Sequence, residues 1–168
     1  MFKYAGINKN DVVNGEGVCV SFFIQGCPHH CPGCFNPETW DPTGGKEITQ
    51  ETVKEIIEAI SANDIQRNFS MLGGEPLAPF NISATWQILT EVRLHYPSIK
   101  IFLWTGYNEE ELKQYIKVCP ELYACLLLVN TIITGRFIEE EKDLTLKLRG
   151  SRNQNIWDSR ELVNYLTK

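Results

Sequence analysis

Several features are missing from this sequence of 168 residues. The longest apolar runs, such as "ACLLLV" (124–129), are far shorter than the roughly 20 residues that a membrane-spanning helix needs. The N-terminal stretch "MFKYAGINKNDVV" has no apolar segment typical of a secretory signal. Lys and Arg number 16 against 21 Asp and Glu, so the basic excess that nucleic-acid binding requires is absent. We therefore expect a cytoplasmic protein that binds neither membrane nor nucleic acid.

The composition that is present is typical of a globular domain. Hydrophobic residues make up 43% and charged residues 22% of the chain, which leaves enough apolar surface for a core. Neither an internal repeat nor a long linker divides the sequence. We expect one domain that spans residues 1–168.

Hydrophobic patterns predict strands and helices in alternation. Predicted strands cover 18–25, 68–72, 100–104 and one or two segments within 126–133, and "VVNGEGV" (12–18) is typical of a hairpin or loop. Thr49 is a predicted N-cap for a helix that runs to about residue 62. A second helix is predicted over 82–95, and a third begins after Asn108, which with Glu111 forms a predicted capping box. This order indicates an α/β fold with a mainly parallel sheet.

The apolar sides of these helices can be predicted from their spacing. Val53, Ile56, Ile57 and Ile60 form one stripe on the first helix. The second helix is expected to place Ile82, Trp86, Leu89 and Val92 together on its apolar side.

Three unusual segments follow the carboxyl ends of predicted strands. They are the cysteine-rich loop that starts at Cys27, "GGEP" (73–76) and "TGY" (105–107). Ligands of α/β folds bind at the carboxyl ends of the strands. The three segments are therefore expected to meet at one edge of the sheet and to form one site.

Cys27, Cys31 and Cys34 are the candidate metal ligands, at the spacing Cys-x3-Cys-x2-Cys. Three thiolates on a 4Fe–4S cluster leave one iron without a protein ligand, and that iron can bind a substrate or cofactor. A zinc site completed by His29 or His30 is an alternative, as are disulfides and a ferredoxin-like electron carrier. The other cysteines lie in or beside apolar stretches and are expected to be small buried residues: Cys19, Cys119 and Cys125.

The cysteine spacing resembles the cluster loop of radical S-adenosylmethionine (SAM) enzymes. In that superfamily three such cysteines hold a 4Fe–4S cluster whose open iron chelates SAM, and a Gly-Gly-Glu-Pro stretch binds the SAM amino group. Taken alone, "GGEP" would be an ordinary turn. Beside the cysteine loop it strengthens the resemblance.

A closer resemblance, to the activating proteins of anaerobic (class III) ribonucleoside-triphosphate reductases, covers most of the chain. The segments that carry it are "DVVNGEGV" (11–18), "FIQGCPHHCPGCFNPETW" (23–40), "LGGEPL" (72–77), "FLWTGY" (102–107), "TGRF" (134–137) and "LRGSRNQNIWD" (148–158). The resemblance implies a shortened, open partial (β/α) barrel of the radical SAM type. It also implies a 5′-deoxyadenosyl radical that installs a glycyl radical on the large subunit of the reductase, with a flavodoxin or ferredoxin-type electron donor.

The resemblance also implies roles for particular residues. Cys27, Cys31 and Cys34 would ligate the cluster. SAM would be bound by residues of the three loops, namely Gly33, Cys34, Phe35, Gly73, Gly74, Glu75 and Thr105. Trp104 and Tyr107 could form walls of the site, although Trp104 is expected to pack in the core.

Two segments do not receive a role from the resemblance. Thr134 stands where the family commonly has Asp, so no carboxylate function is carried over to it. The "RGSRNQ" stretch (149–154) is either a solvated polar segment or a partner contact.

Other functions remain open at this point. The chain could activate another glycyl radical enzyme, such as pyruvate formate-lyase, or act on a small molecule by radical SAM chemistry. It could also be a zinc or iron–sulfur module without catalytic activity, which would not cleave SAM.

Overall fold

The computed structural model describes all residues from Met1 to Lys168 and shows a mixed α/β chain. Seven strands form one open sheet: β1 (Lys3–Asp11), β2 (Cys19–Ile24), β3 (Lys46–Glu47), β4 (Asn68–Gly73), β5 (Ile101–Trp104), β6 (Thr131–Thr134) and β7 (Asn155–Asp158). Five α-helices accompany the sheet: α1 (Gln50–Ile60), α2 (Ile82–His95), α3 (Glu109–Tyr115), α4 (Pro120–Leu128) and α5 (Ser159–Leu166).

The centre of the sheet is parallel and its two flanks are antiparallel. The strand order is β3-β1-β2-β4-β5-β6-β7, in which β2, β4, β5 and β6 run parallel. The pairs β1–β2, β1–β3 and β6–β7 are antiparallel. The predicted parallel α/β arrangement is therefore confirmed for the centre of the sheet. The carboxyl ends of all four central strands lie at one edge.

Alternation along the central strands separates the core from the site. Phe22, Met71, Leu103 and Ile132 pair in register across the four parallel strands and lie in the buried core. Their chain neighbours point to the opposite face because successive strand residues alternate between faces. On that face Phe23, Leu72 and Trp104 line a cavity.

Local signals at helix ends are confirmed. The side chain of Thr49 accepts a hydrogen bond from the backbone N–H of Thr52 and caps α1. Asn108 and Glu111 form the predicted capping box of α3 through reciprocal 2.9 Å hydrogen bonds. Helix α2 has the predicted bounds. Such caps are read correctly because both partners lie within one turn of the chain.

The prediction of a strand in the first part of 126–133 is wrong. Residues up to Leu128 form the end of α4, which has Pro120 at its first turn, and strand β6 begins only at Thr131. A short apolar run fits a buried helix as well as a buried strand, and periodicity does not separate the two.

The placement of Trp86 on the apolar side of α2 is also wrong. Trp86 is 40% exposed, whereas the polar residue Thr85 is fully buried. The hydroxyl of Thr85 donates a 2.8 Å hydrogen bond to the carbonyl of Pro76, so burial does not leave it unpaired. The buried side of α2 therefore includes Thr85 and leaves Trp86 outside it.

Elements at both ends of the chain were not predicted. Strand β1 is mostly polar, so apolar and polar residues alternate only weakly along it. It pairs with β2 with shifts in register. The loop 12–18 connects these two strands, as expected of a hairpin connection. Strand β7 and helix α5 also lay outside the predicted elements.

None of the helices has the length and apolar character needed to traverse a lipid bilayer.

The three cysteines outside the cysteine-rich loop differ in how deeply they are buried. Cys19 and Cys125 are fully buried, as predicted. Cys119 is partly exposed at the N-cap position of α4, and its thiol lies 3.6 Å from the Glu121 carboxylate. The prediction of burial holds only in part for Cys119, which packs against the core but lies at the end of its helix.

Candidate functional site

The three loops predicted to meet do meet, around a cavity of about 520 Å³. They are the cysteine loop (27–34), the GGEP loop (73–76) and the TGY loop (105–107), which follow β2, β4 and β5. Cys27, Cys31 and Cys34 all line the cavity, and all three are free thiols. The volume is in the usual range for a small-molecule site, about 300–1,000 Å³.

Each of the three thiols has at least one backbone N–H group near it. Burial raises the pKa of the Cys27 thiol to about 11, although the backbone N–H groups of His29 and His30 act in the opposite direction. Burial also raises the pKa of the Cys31 thiol, whereas the backbone N–H of Phe137 acts to lower it. The N–H of Asn36 donates to the Cys34 sulfur at 3.4 Å. Hydrogen bonds to sulfur are one of the features that tune iron–sulfur clusters, so this set of donors fits a cluster.

The arrangement does not fit a single zinc ion. No three His, Cys, Asp or Glu side chains lie close enough together to hold one metal ion. His29 is hydrogen-bonded to Glu75, and His30 stacks on Trp40 with ring centroids 4.8 Å apart. Ligands of a zinc ion all surround one centre, whereas the thiolates of a 4Fe–4S cluster bind different irons and stand farther apart.

Glu75 joins all three loops through its buried carboxylate. One oxygen accepts hydrogen bonds from the Thr105 hydroxyl at 2.8 Å and from the backbone N–H of Leu77 at 2.9 Å. The other accepts from the N–H of Gly106 at 2.6 Å and from Nε2 of His29 at 2.9 Å. The carboxylate is 1% exposed. Its acceptor sites are thus occupied by the protein itself.

The two glycines of the GGEP loop allow the chain to approach the end of β2. Gly73 has φ of 102°, and a Cβ there would lie 2.6 Å from the Cα of Phe23. A Cβ at Gly74 would lie 2.4 Å from the carbonyl oxygen of Gly26. The carbonyl of Gly74 itself accepts no hydrogen bond from the loops or side chains, and Gly74 is one of the residues that line the cavity with the three thiols. This carbonyl is an open acceptor.

Gly33 and Phe35 flank Cys34 in the chain, and of the two only Phe35 lines the cavity. Gly33 has φ of 78°, which favours glycine. Phe35 is 55% exposed and packs against Phe137, with ring centroids 5.0 Å apart. The ammonium of Lys142 lies 5.7 Å from the centre of the Phe35 ring. This exposed aromatic surface can stack on a planar ligand.

The TGY loop mainly supports the other two loops, because the Thr105 hydroxyl is hydrogen-bonded to other protein groups and is not free to bind a ligand. The Thr105 hydroxyl donates to Glu75 and accepts from the N–H of Tyr107, and the residue is 4% exposed. The ring of Tyr107 packs edge-on against His29 at 4.7 Å. Trp104 lines the cavity, contrary to the expectation that it packs in the core, and its Nε1–H donates to the carbonyl of Leu148 at 2.6 Å.

A segment that the sequence did not assign forms another wall. The strap, residues 143–150, is held at its base by the N–H of Asp143, which donates to the carbonyl of Gly150 at 3.0 Å. Leu144, Leu146 and Leu148 from the strap line the cavity. In the "RGSRNQ" stretch, Arg149, Gly150 and Gln154 also line it. The alternating leucines of "LTLKL" (144–148) were the only signal in the sequence.

Comparison with known proteins agrees with this site. A family model described as "4Fe-4S single cluster domain" matches residues 13–157. The chain therefore belongs to the 4Fe–4S single cluster domain family.

Curated relatives have a common name, anaerobic ribonucleoside-triphosphate reductase-activating protein. The relative from Vibrio cholerae is 39% identical over 147 residues, which cover 87% of this chain and 91% of the relative. The relative from Enterobacteria phage T4 is 38% identical over 162 residues, 95% and 96% of the two chains. That from Escherichia coli K12 is 34% identical over 145 residues, 86% and 90%. The chain belongs to the family of anaerobic ribonucleoside-triphosphate reductase-activating proteins.

Proposed function

We propose that this chain is the activating enzyme of an anaerobic ribonucleoside-triphosphate reductase, and that it uses a 4Fe–4S cluster and SAM. The observation that carries the proposal is the meeting of three free thiols with the GGEP and TGY loops in one cavity. The names of the relatives supply the target, since each is named as an activating protein of that reductase.

Cys27, Cys31 and Cys34 are the proposed cluster ligands. Their thiols line the same cavity and have backbone N–H groups beside them. Binding to iron removes the thiol proton, which offsets the effect of burial on the free thiols. No fourth cysteine lines the cavity, so one iron is left for SAM.

The proposed SAM contacts divide into two kinds. The open carbonyl of Gly74 is suited to accept from the amino group of SAM, and Gly73 gives that loop its shape. Phe35, beside Cys34, offers a surface for the adenine ring, and Gly33 would act by shaping the turn that carries Cys34. Glu75 and Thr105 act through their hydrogen bond to each other, which holds two of the loops together.

The chemistry itself belongs to the bound groups. When bound and reduced, the cluster would supply one electron to the SAM sulfonium, so that cleavage of the S–C5′ bond would give methionine and a 5′-deoxyadenosyl radical able to take a hydrogen atom from a glycine Cα. The electron would come from a flavodoxin or ferredoxin-type donor. The protein orients SAM and keeps water away with apolar walls from Phe23, Leu72 and the strap leucines.

The mouth of the cavity is suited to a protein substrate. Val13, Leu144 and Phe35 line the cavity and are 76%, 75% and 55% exposed, and Val12, next to Val13 in the chain, is 71% exposed. An exposed apolar rim around a reactive site is typical of a protein contact. We propose that the segment of the large reductase subunit that carries the glycine enters here.

The proposed architecture is an open partial (β/α) barrel within a single domain, residues 1–168. Supporting it, the parallel strands β2, β4, β5 and β6 are neighbours in the order in which they occur in the chain. Right-handed crossovers between successive neighbours put the helices on one face, as in (β/α) barrels. One buried core extends over strands and helices alike.

Electron paramagnetic resonance under anaerobic conditions tests the proposed function. The reconstituted and reduced chain is mixed with SAM and the large reductase subunit, and a glycyl-radical signal is expected. Cys31→Ala should abolish the signal, and Cys119→Ser, which changes a thiol outside the cavity, should retain it. Deoxyadenosine release without a glycyl radical would reject the partner. Loss of both would reject the radical chemistry.

A further inference from the structure

His29 lies between two of the proposed cluster ligands but does not point toward solvent. Its side chain is 4% exposed, and Nε2 lies 2.9 Å from a carboxylate oxygen of Glu75. An ionised carboxylate only accepts hydrogen bonds, so Nε2 of His29 is the donor. This is the one side-chain hydrogen bond that links the cysteine loop to the GGEP loop.

The surroundings of the His29 ring fix its position. The ring packs edge-on against Tyr107 with centroids 4.7 Å apart. On another side it lies so close to Gly106 that a Cβ there would be 2.4 Å from its Cδ2 atom. The TGY loop therefore supplies both a wall and the space for the ring. A side chain whose rotamer is fixed by packing can keep its hydrogen-bond partners in a fixed position.

The hydrogen bond connects the two halves of the proposed cofactor site. At the His29 end, the residue lies in the cysteine loop between Cys27 and Cys31, and both cysteines line the cavity. At the Glu75 end, the loop carries the open carbonyl of Gly74. The backbone N–H of Glu75 also donates to the carbonyl of Gly26 at 2.8 Å, at the base of the cysteine loop. The Glu75 carboxylate adds the link to the middle of that loop, at His29.

We propose that His29 is a positioning residue, which acts through Glu75 to hold the cysteine loop in register with the GGEP loop so that a cluster-bound SAM meets both. The inference rests on the proposed function, since it takes the cluster on Cys27, Cys31 and Cys34 and SAM beside Gly74. Outer-shell hydrogen bonds of this kind typically change affinity or activity by about 10–100-fold when they are removed.

Two substitutions of His29 separate the hydrogen bond from the packing of the ring. His29→Phe keeps a ring against Tyr107 but has no donor for Glu75. His29→Gln loses the ring but keeps an N–H donor at similar reach. His95→Phe, the same change on the exposed surface of α2, is the matched control.

The measurements are iron content per chain, SAM affinity by equilibrium dialysis, and the change that SAM makes in the paramagnetic resonance spectrum of the reduced cluster. For His29→Phe we expect SAM affinity about tenfold weaker and a diminished spectral change. His29→Gln should recover most of both, and His95→Phe should match the wild type. The same pattern in iron content, with loss in His29→Phe and recovery in His29→Gln, would also support the proposal.

Two results would overturn the role of His29. One is wild-type SAM affinity and spectrum in His29→Phe. The other is an equal defect in His29→Phe and His29→Gln, which would assign the effect to ring packing. Failure of the proposed function is distinguishable, because the wild-type chain would then show no response to SAM.

Discussion

Thr134, at the end of β6, donates a 2.5 Å hydrogen bond to the carboxylate of Glu109 in the first turn of α3. The same carboxylate oxygen accepts from Nε1–H of Trp157 at 2.7 Å and from the side-chain amide of Asn155 at 3.0 Å. Glu109 therefore ties β6, α3 and β7 together. Thr134 is buried and is a donor at this position, not an acid.

Glu109 should make stability depend on pH. Burial acts to raise the pKa of Glu109, but the donors from Thr134, Trp157 and Asn155 hold it below its ordinary value of 4.5. A lowered folded-state pKa means that this stabilisation is complete above the unfolded value and is lost as pH falls through the folded one. Glu109→Gln should lower the free energy of unfolding at neutral pH by about 1 kcal/mol, a modest loss because solvent screens a half-buried site.

The measurement is urea unfolding of wild type and Glu109→Gln across the acid range. The difference between them should be constant above about pH 5 and should shrink below it. If the difference in the free energy of unfolding does not change with pH, the effect of Glu109→Gln comes from altered packing and not from the loss of the charge.

The three cysteines of the cavity should differ from Cys119 in cluster binding. Cys27→Ser, Cys31→Ser and Cys34→Ser each remove a proposed thiolate ligand, so bound iron should fall well below about four atoms per chain. Cys119→Ser should leave the iron content unchanged, because that residue caps α4 away from the cavity. Iron and sulfide analysis after anaerobic reconstitution checks this. Equal loss in all four variants would point to a general effect on folding.

Gly106→Ala should destabilise the chain even without any cofactor. The new Cβ would lie 2.4 Å from the ring of His29, which Glu75 and Tyr107 hold in place. Overpacking of this kind costs about 1–3 kcal/mol. Gly6→Ala is the control, since nothing lies within 4 Å of a Cβ there. Urea unfolding should show a lower free energy of unfolding for Gly106→Ala only. Similar curves for both variants would mean that the His29 ring moves freely.

Arg67→Met should unfold the chain more easily. The buried Arg67 guanidinium makes five hydrogen bonds, to the side chain of Asn10 and to the carbonyls of Ala59, Ala62 and Ile65. Its loss leaves carbonyls at the end of α1 unpaired, at a cost of about 3 kcal/mol. Arg160→Met, on the exposed side of α5, should change the free energy of unfolding little. A small effect at Arg67 would indicate that water replaces the guanidinium.

Local patterns were enough to find the parts of the site, but their joint arrangement was not visible. The cysteine spacing placed three thiols in one loop, and the strand ends placed "GGEP" and "TGY" nearby. The link from Glu75 to His29 joins residues 46 positions apart, so neither sequence motif indicates it. The strap was missed because its leucines resemble an ordinary exposed loop until Trp104 holds it over the cavity.

The sequence by itself determined the features whose partners lie within a few residues. These are the cysteine spacing, the caps at Thr49 and Asn108, and the apolar strands of the parallel sheet. Only the tertiary structure decided which residues share the Glu75 carboxylate, that Trp86 stays exposed and that β1 lies between β2 and the edge strand β3. The reason is physical: these outcomes depend on contacts between distant segments, and a local pattern carries no information about which distant partner competes for the same buried space.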